Sequence, residues 1–453
     1  MRWITRDKSF YKRILTLAVP ISLQALVTFL VGFADNVMIS RLGDAAVSGV
    51  LFGGQIQFLL QQLVIGMGSG MLILNAQYWG KEDPASIRRL IGLVLRLGAV
   101  VALVFALCSF TMPRTLLGLF TNQAGSLEQG AAYLRILCFS FIFYVVSQLL
   151  VFAMRSVETA HVGAVASAVA LGVNVFLNWL LIFGVGFIPA MGVRGAALAT
   201  LAARMVECGV VVWYVFVRDR KLCLRVRELF GPAKGLLKQY LRYGLPVIAG
   251  DLVWAVNILC ANALLGHYPD HVSSAASITN NLNTLIYVAL TGLWGGVSII
   301  IGKTVGKGER EKVKEYARTC QLLFLAVGLL AGSVVFFGKA PFVSLFHGIS
   351  PEAKQTALSF MTVLSVTIIG TCYEACCLGS LVKAGGDTAF VFKNDTIFVF
   401  LVVLPSAFFA GWLGAPLWVV FLCLKSDQLL KCIVAVVKVN RYRWIKEITK
   451  DPA

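Results

Sequence analysis

Long charge-free apolar runs recur along the whole chain, and three of them are Ile136–Phe152, Val162–Phe183 and Leu322–Phe337. These runs are apolar on nearly every helical face, whereas a helix on the surface of a soluble domain needs only one apolar face. With a few flanking residues, each run reaches the roughly 20 residues that span a bilayer core about 30 Å thick. The pattern therefore predicts an all-α integral membrane protein.

The runs predict twelve transmembrane helices, at residues 14–39, 47–76, 90–112, 131–153, 162–184, 193–217, 240–265, 273–302, 318–337, 358–382, 391–413 and 415–437. The longest charged interruption falls at residues 218–239 and divides these helices into two sets of six. We therefore predict an N-lobe of residues 1–217, a linker of residues 218–239, and a C-lobe of residues 240–453 that ends in a basic tail.

The two halves of the chain repeat each other in sequence. Adding 226 to a position in the first half gives a matching residue in the pairs Pro20/Pro246, Asp44/Asp270, Gly66/Gly292, Gly70/Gly296 and Gly80/Gly306. Because each half has an even number of predicted helices, both halves enter the bilayer from the same side. Transporters built from such parallel repeats bind substrate between the halves and alternate its access by rocking one half against the other.

The placement of charge predicts the orientation of the chain. It carries 40 Lys and Arg against 22 Asp and Glu, although only 14% of its residues are charged. The basic segments fall on one side of the predicted topology: the residues before the first helix, Lys81–Arg89, Arg218–Lys238, Lys303–Arg318 and Lys438–Lys450. This positive-inside pattern places both termini in the cytoplasm and the protein in the bacterial cytoplasmic membrane. The clusters lack interleaved aromatic residues, so no nucleic-acid partner is expected.

Five acidic residues interrupt the predicted helices: Asp35, Asp251, Glu374, Asp395 and Asp427. A charge at the centre of a membrane helix costs about 2.5–3.5 kcal/mol on insertion scales, so each of them needs a physical explanation. A buried carboxyl group can hold a proton near neutral pH and release it when a cation arrives. Such a group suits an exchanger of protons or sodium for a cationic substrate.

Local spacing suggests ion pairs for two of these acids. Asp427 lies four residues before Lys431, which favours a neutralised structural pair. Asp395 lies near Lys393, and a structural role and a functional role both stay open for it.

Spacing also indicates which other charged residues of the predicted helices have a partner of opposite charge nearby. Arg204 and Glu207 lie three residues apart in the predicted sixth helix and are expected to pair with each other. Asp35 and Asp251 have no basic residue within a helical turn. This isolation favours a functional role for both, with Asp35 as the carrier of the coupling ion and Asp251 as an acid that attracts cations.

Two prolines and two asparagines accompany these acids. Pro20 and Pro246 occupy matching positions of the first and seventh predicted helices, where a missing backbone hydrogen bond predicts a kink near each acid. Asn174 and Asn178 lie four residues apart and share one face of the fifth helix. Interhelical hydrogen bonding and ion coordination are both open for these asparagines.

Signatures of soluble enzymes are missing from the sequence. It contains no GxxxxGK[ST] phosphate-binding loop and no HExxH zinc motif, so we expect neither an enzyme nor a bound cofactor or metal. The cysteines fall mostly within apolar runs and are expected to be small packing residues. A flippase for a lipid-linked precursor, which would need a cavity rich in Arg and Lys, and a non-transporting membrane-embedded protein are the alternatives to an exporter.

Several sequence blocks resemble the bacterial multidrug and toxic compound extrusion (MATE) transporters, and the likeness covers essentially the whole chain. The blocks are LAVPISLQ, FADNVMISRLGDAAVSGV, GMGSGMLILNAQYWGKED, NVFLNWLLIFG, PAMGVRGAALAT, GLPVIAGDLVW and GGDT. The resemblance implies twelve helices in two lobes around a central cavity. It also implies antiport of amphipathic, often cationic compounds against protons or sodium.

The resemblance also implies roles for individual residues. Asp35 matches the first-helix acid of the family's N-lobe cation site, and Asn174 matches an asparagine of that site. Asn178 stands where some branches of the family carry an aspartate, so this site has one acid fewer. Asp251 matches a seventh-helix acid of one branch of the family. Glu374 has no clear counterpart in the family, so the role given to it depends on its predicted burial alone.

The sequence as a whole predicts a cation-coupled exporter of small organic cations that works as a monomer in the lipid bilayer. The coupling ion, H+ or Na+, would bind at Asp35, Asn174 and Asn178. An acidic site that attracts the substrate would lie in the C-lobe, at Asp251, Glu374 and Asp395.

Overall fold

In a computed structural model, the chain is described over residues 4–121, 123–184, 189–232, 235–346 and 350–449. The end of the predicted basic tail, from Lys450 onward, lies outside these residues. Every regular element within the described ranges is helical. A helix satisfies its backbone hydrogen bonds within its own segment, as the interior of a bilayer demands.

The α-helices of the first half are α1 (Lys8–Ile39), α2 (Asp44–Gly80), α3 (Pro84–Thr111), α4 (Pro113–Gly118), α5 (Ala124–Leu137), α6 (Ser140–Ser156), α7 (His161–Phe183), α8 (Gly192–Trp213) and α9 (Val226–Leu229). Those of the second half are α10 (Leu236–Gly266), α11 (Asp270–Gly306), α12 (Arg310–Ser344), α13 (Pro351–Glu374), α14 (Thr388–Ile397), α15 (Leu404–Trp412), α16 (Leu417–Leu424) and α17 (Ser426–Asn440). Other helical segments are a 3-10 turn at Ser40–Leu42 and π-helices at Tyr214–Arg218, Ala375–Val382 and Phe398–Val403.

Ten helices in the described part of the chain are long and apolar enough to cross a membrane. They correspond to the first three predicted helices and to the fifth through eleventh.

The sequence also marks where several of them begin. In α3, for example, the Asp83 side chain accepts from the backbone N–H of Ser86 at 3.0 Å, and Pro84 follows at the first helical position.

Two helices that we predicted to be continuous are broken in the structure. The predicted helix 131–153 is α5 followed by α6 with a bend of 55°, and the predicted helix 415–437 is α16 followed by α17. At each break a hydroxyl group bonds to the carbonyl three residues earlier, Ser140 at 2.6 Å and Ser426 at 2.8 Å. Such bonds compete with the helical ladder. Apolar periodicity does not register them, so the sequence predicted these two spans but not their division into two helices each.

Contacts divide the chain into two compact units. The N-unit comprises Val19–Ile248, and the C-unit comprises the residues up to Ala18 and those from Ala249 onward. The divisions fall within α1 and α10: the N-unit begins one residue before Pro20 and ends two residues after Pro246. Both prolines lie inside continuous helices, and the kink expected at each stays a prediction.

The N-unit is built around α2, which packs against α3, α5 and α6, while α7 packs against α8. Leu60, Val64 and Leu74 form part of the buried face of α2. At Gly70 of α2, a Cβ atom would lie 2.7 Å from the Cα atom of Gly244, so only glycine permits this approach. Many large apolar side chains stay exposed on the surface, as expected of helices that face lipid.

The C-unit is built around α13, which packs along α12 and also contacts α11, α16 and α17. Phe360 of α13 stacks on Phe421 of α16, with ring centroids 4.4 Å apart and an interplanar angle of 9°. Because Glu374 is the last residue of this central helix, its carboxyl group is placed among the neighbouring helices of the unit.

The residues that follow α17 fold back onto the GGDT block of the C-unit. Trp444 is fully buried, and its indole Nε1 donates to the carbonyl of Val439 at 2.9 Å. Asp387 of the block pairs with Lys438 at 2.7 Å and with Lys446 at 2.8 Å. Burial alone would raise the pKa of Asp387, but the two hydrogen-bonded ammonium groups hold it below its ordinary value. The stability that this carboxylate contributes is present above the ordinary carboxyl pKa and is lost only as pH falls through the lowered value.

We expect Trp444→Ala to lower the free energy of unfolding by about 3–5 kcal/mol, because it leaves a cavity where the indole packs against Gly385. Trp412→Ala is the matched control, since Trp412 is 75% exposed. Unfolding of the purified protein in detergent, by heat or denaturant, compares the two variants. Equal destabilisation by both substitutions would contradict the packing of the tail.

Candidate cation-coupling and substrate sites

The three residues predicted for ion coupling meet in the N-unit. Asp35 of α1 faces α7, where the side-chain amide of Asn178 donates to Asp35 Oδ1. The same Asn178 Nδ2 atom donates to Asn174 Oδ1 at 3.2 Å. Both asparagines are buried, whereas Asp35 keeps part of its surface exposed. The shared face of α7 that the four-residue spacing predicted is therefore directed at the acid.

Two buried amide atoms in this group have no hydrogen-bond partner among the described residues. They are Asn174 Nδ2, a donor, and Asn178 Oδ1, an acceptor. An unpaired buried polar atom costs about 1–3 kcal/mol, so each one needs a physical explanation, and an arriving ligand or proton is one such explanation. A carboxylate beside a free amide oxygen suits either a proton carried on the acid or a small hard cation.

A second buried acid of the N-unit is held by several donors. Arg204 Nη1 lies 2.6 Å from Glu207 Oε2, which confirms the predicted pair within α8. Glu207 Oε1 also accepts from Ser167 at 3.1 Å and from Gln148 at 3.3 Å. The guanidinium lies 5.0 Å from the ring centroid of Tyr144. Glu207 is therefore satisfied by charge and by hydrogen bonds from three helices.

Arg204 also interacts electrostatically with Asp35, which links α8 to α1. Tyr133 of α5 faces the same acid and hydrogen-bonds to Thr200 of α8. Spacing within one helical turn could predict the pair of Arg204 with Glu207, but it could not reveal that Arg204 and Tyr133 approach Asp35 from other helices. Asp35 thus faces a fixed positive charge and neutral polar groups.

A polar contact follows each of the two helix prolines, Pro20 and Pro246, within five residues. In the N-unit, Gln24 accepts from Arg155 Nη2 at 2.7 Å. In the C-unit, Asp251 lies 3.4 Å from Lys383 Nζ. The absence of a basic residue within a turn of Asp251 therefore did not mean that the acid was isolated. Its partner comes from another helix, just after the π-helix Ala375–Val382, and local spacing cannot reveal it.

The other C-unit acids gather around a second lysine. Lys431 Nζ of α17 lies 2.9 Å from Asp395 Oδ1 of α14 and 3.1 Å from Asp427 Oδ2. The pair with Asp427 confirms the prediction from spacing. Asp395, for which a pair with Lys393 was considered, takes the lysine of a different helix instead.

Glu374 joins this group without an ion pair of its own in the described part of the chain. Its carboxyl interacts electrostatically with both lysines and with both aspartates around Lys431. It ends α13 directly before the π-helix Ala375–Val382, and π-helices are frequent at functional sites. Four carboxyl groups of the C-unit, those of Asp251, Glu374, Asp395 and Asp427, therefore face the ammonium groups of Lys383 and Lys431 and, at Asp427, that of Lys425. The acids outnumber these lysines by one.

The sequence profile of the MatE family matches residues 20–180 and 246–409, which is more than half of the chain. Among curated relatives, the Thermotoga maritima protein named "Probable multidrug resistance protein NorM" is 24% identical over 79% of this chain and 76% of its own length. "Uncharacterized transporter YisQ" of Bacillus subtilis is 23% identical over 97% of this chain and 96% of its own length.

Solved transporter structures share the fold. A MATE protein crystallised in complex with MaL6 aligns with a TM-score of 0.86 at 19% identity, over 95% of this chain and 97% of that chain. A MOP superfamily transporter from Pyrococcus furiosus, reported with reverse polarity of its binding pocket, aligns with a TM-score of 0.86 at 19% identity over 99% of both chains. These alignments confirm the predicted all-α membrane fold.

We expect Arg204→Met to lower the free energy of unfolding by about 3–5 kcal/mol, because it leaves the Glu207 carboxylate buried without its counter-charge. The double variant Arg204→Met/Glu207→Gln removes both charges and should recover much of this loss. Denaturant unfolding of the wild type, both single variants and the double variant measures the coupling. Additive losses in this cycle would show that the two residues are not a pair.

Proposed function

The chain belongs to the multidrug and toxic compound extrusion (MATE) family of membrane transporters, and we propose that it exports small organic cations from the bacterial cytoplasm in exchange for protons. In this proposal the protein lies in the cytoplasmic membrane as a monomer with both termini in the cytoplasm. The coupling ion is a transported substrate, and no resident cofactor takes part.

The contact between Asp35 and Asn178 carries the proposal. When Asp35 is ionised, the N–H group of Asn178 donates to its carboxylate. When Asp35 takes up a proton, the acid becomes a donor, and the unpaired Asn178 Oδ1 is an acceptor on the same amide. One asparagine thus offers a hydrogen bond to either form of the acid, which suits a group that gains and loses a proton in every cycle.

Charge around Asp35 favours protons over sodium as the coupling ion. Arg204 already supplies a positive charge that interacts with this acid, and Asn178 provides an amide where a second carboxylate would add negative charge. Sodium is the second candidate, because the unpaired Asn178 Oδ1 could serve as an oxygen ligand beside the carboxylate. A protonated Asp35 is a neutral group beside Arg204, whereas a bound sodium ion would place a second positive charge close to the guanidinium.

The C-unit is proposed to attract the organic cation. Asp251, Glu374 and Asp395 place acidic groups in the membrane-spanning part of this unit, and Glu374 has no ion pair of its own among the described residues. Low-dielectric surroundings strengthen attraction between such acids and a cation that has left water. Asp251 and Asp395 are each already paired with a lysine, so Glu374 is the acid with the least compensated charge.

A flippase for a lipid-linked pyrophosphate is less well supported. Such a substrate needs basic groups that are free to bind phosphate oxygens. In the C-unit, Lys383 is paired with Asp251, and Lys431 is paired with Asp395 and Asp427. In the N-unit, Arg204 is paired with Glu207. Arg155 has no carboxylate partner among the described residues, but its guanidinium donates to Gln24, so most of these bases are already engaged.

Purified protein in liposomes tests the proposal through efflux of a fluorescent lipophilic cation. We expect an imposed pH gradient to drive efflux in the wild type and Asp35→Asn to reduce it to the rate of empty liposomes, because an amide cannot carry the proton. Asp83→Asn is the matched control and should keep the wild-type rate, since asparagine caps α3 as well as aspartate does.

Efflux by Asp35→Asn at the wild-type rate would remove Asp35 from the coupling site. Efflux that responds to an imposed sodium gradient alone would select sodium as the coupling ion. If neither gradient drives efflux of the cation by folded protein, the flippase interpretation gains support.

Asn178→Asp provides an independent test of the ion assignment. The substitution removes the N–H donor and places two carboxylates side by side, which only a proton or a cation between them can stabilise. We expect sodium to stimulate efflux by this variant but not by the wild type. The same sodium response in both proteins would argue against proton coupling at Asp35.

A further inference from the structure

The described residues of the linker, which runs from residue 218 to residue 239, fold against α3 of the N-unit. Glu228 of the short helix α9 has a carboxylate oxygen 3.2 Å from Nε of Arg88. Farther along α3, the guanidinium of Arg96 donates to the carbonyl of Gly231 at 3.2 Å. The linker is therefore held to α3 at two points by arginines of that helix.

These contacts place the linker at the level where α3 enters the membrane. The predicted membrane span of α3 begins at residue 90. Between the two arginines, a Cβ atom at Gly92 would lie 2.8 Å from the Cα atom of Leu229, so the linker backbone approaches α3 closely there. The contacts at Arg88, Gly92 and Arg96 thus bracket the expected boundary between lipid headgroups and hydrocarbon. Segments that carry both basic and apolar side chains are stable at this boundary.

The linker presents apolar and basic side chains together on its surface. Phe230 is 73% exposed and Val226 is 60% exposed. Arg225 and Arg227, on either side of Val226, are exposed as well. Leu224 of the same segment is buried, so only some of the apolar side chains of the linker pack against the N-unit. The exposed ones lie next to the arginines in the chain.

The acids of this segment are already engaged, whereas its exposed arginines are not. Glu228 pairs with an arginine of α3, and Asp219 accepts from the backbone N–H of Leu222 at 2.8 Å. Among the described residues, no carboxylate forms an ion pair with Arg225 or Arg227. The surface of the linker is therefore positively charged, and its complement is an anionic surface that also offers an apolar layer.

We propose that the linker docks onto the surface of the lipid bilayer, with Arg225 and Arg227 on the phosphates of anionic lipid headgroups and Phe230 at the boundary of the hydrocarbon. An anionic leaflet attracts basic segments next to a membrane helix, and guanidinium groups suit phosphate oxygens. Burial of the phenyl ring adds hydrophobic stabilisation. Zwitterionic lipid offers the same apolar layer without the net charge, so docking depends on anionic lipid.

Hydrogen exchange of the full-length protein in nanodiscs tests the inference. We expect linker amides to exchange about tenfold more slowly with phosphatidylglycerol present than in phosphatidylcholine alone, since an anionic surface attracts both arginines. Arg225→Gln/Arg227→Gln should abolish this difference, and Phe230→Ser should reduce it. Lys312→Gln/Lys314→Gln is the matched control and should keep the difference, because it removes the same charge from lysines that are paired with glutamates.

Gel filtration first establishes that each variant is folded, as expected for exposed positions. Equal exchange in the two kinds of nanodisc, measured on the wild type alone, would overturn the inference. So would a full difference in the arginine double variant. Slower exchange when inorganic phosphate is added to phosphatidylcholine nanodiscs would show that the arginines bind a free anion, and would also overturn docking on the bilayer. None of these readouts depends on transport, so they do not bear on the proposed export.

Discussion

Desolvation of carboxyl groups is the constraint on which the polar interior of this protein depends. A carboxylate in a membrane helix costs several kcal/mol unless a proton, a hydrogen-bond donor or a cation meets it. Each buried acid of the N-unit meets this constraint in its own way. Glu207 is bound by a guanidinium and two further donors, whereas Asp35 meets amides and only an electrostatic interaction with Arg204. The first arrangement fixes the charge, and the second leaves the acid free to change its protonation state.

The C-unit meets the same constraint with lysines. Lys383 and Lys431 hold three of the four carboxyl groups in ion pairs. Glu374 interacts electrostatically with both lysines but has no ion pair in the described part of the chain. Ammonium groups tie α14 to α17 and α10 to the end of the π-helix Ala375–Val382, so the charges also hold helices together. The two units therefore suit different tasks. In our proposal, the acid of the N-unit exchanges a proton, and the acids of the C-unit attract the organic cation.

The sequence was sufficient for the fold class, ten of the predicted helices, and the pairing of Arg204 with Glu207 and of Asp427 with Lys431. These features follow from apolar runs and from spacing within one helix. Contacts between helices could not be predicted in the same way. Lys383 and Asp251 are 132 residues apart, and no periodicity connects them. The breaks at Ser140 and Ser426 were also missed, because a hydroxyl that bonds to its own helix leaves an apolar run unchanged.

The central claim is that Asp35 gives up its proton when the organic cation binds, and proton release on binding measures this directly. Calorimetry in buffers of different ionisation enthalpy counts the protons released as a lipophilic cation binds to purified protein. Because linkage between two ligands is reciprocal, the account predicts release of about one proton per cation bound near neutral pH by the wild type, and none by Asp35→Asn. Release by the variant equal to that of the wild type, or no release by a wild type that binds the cation, would contradict it.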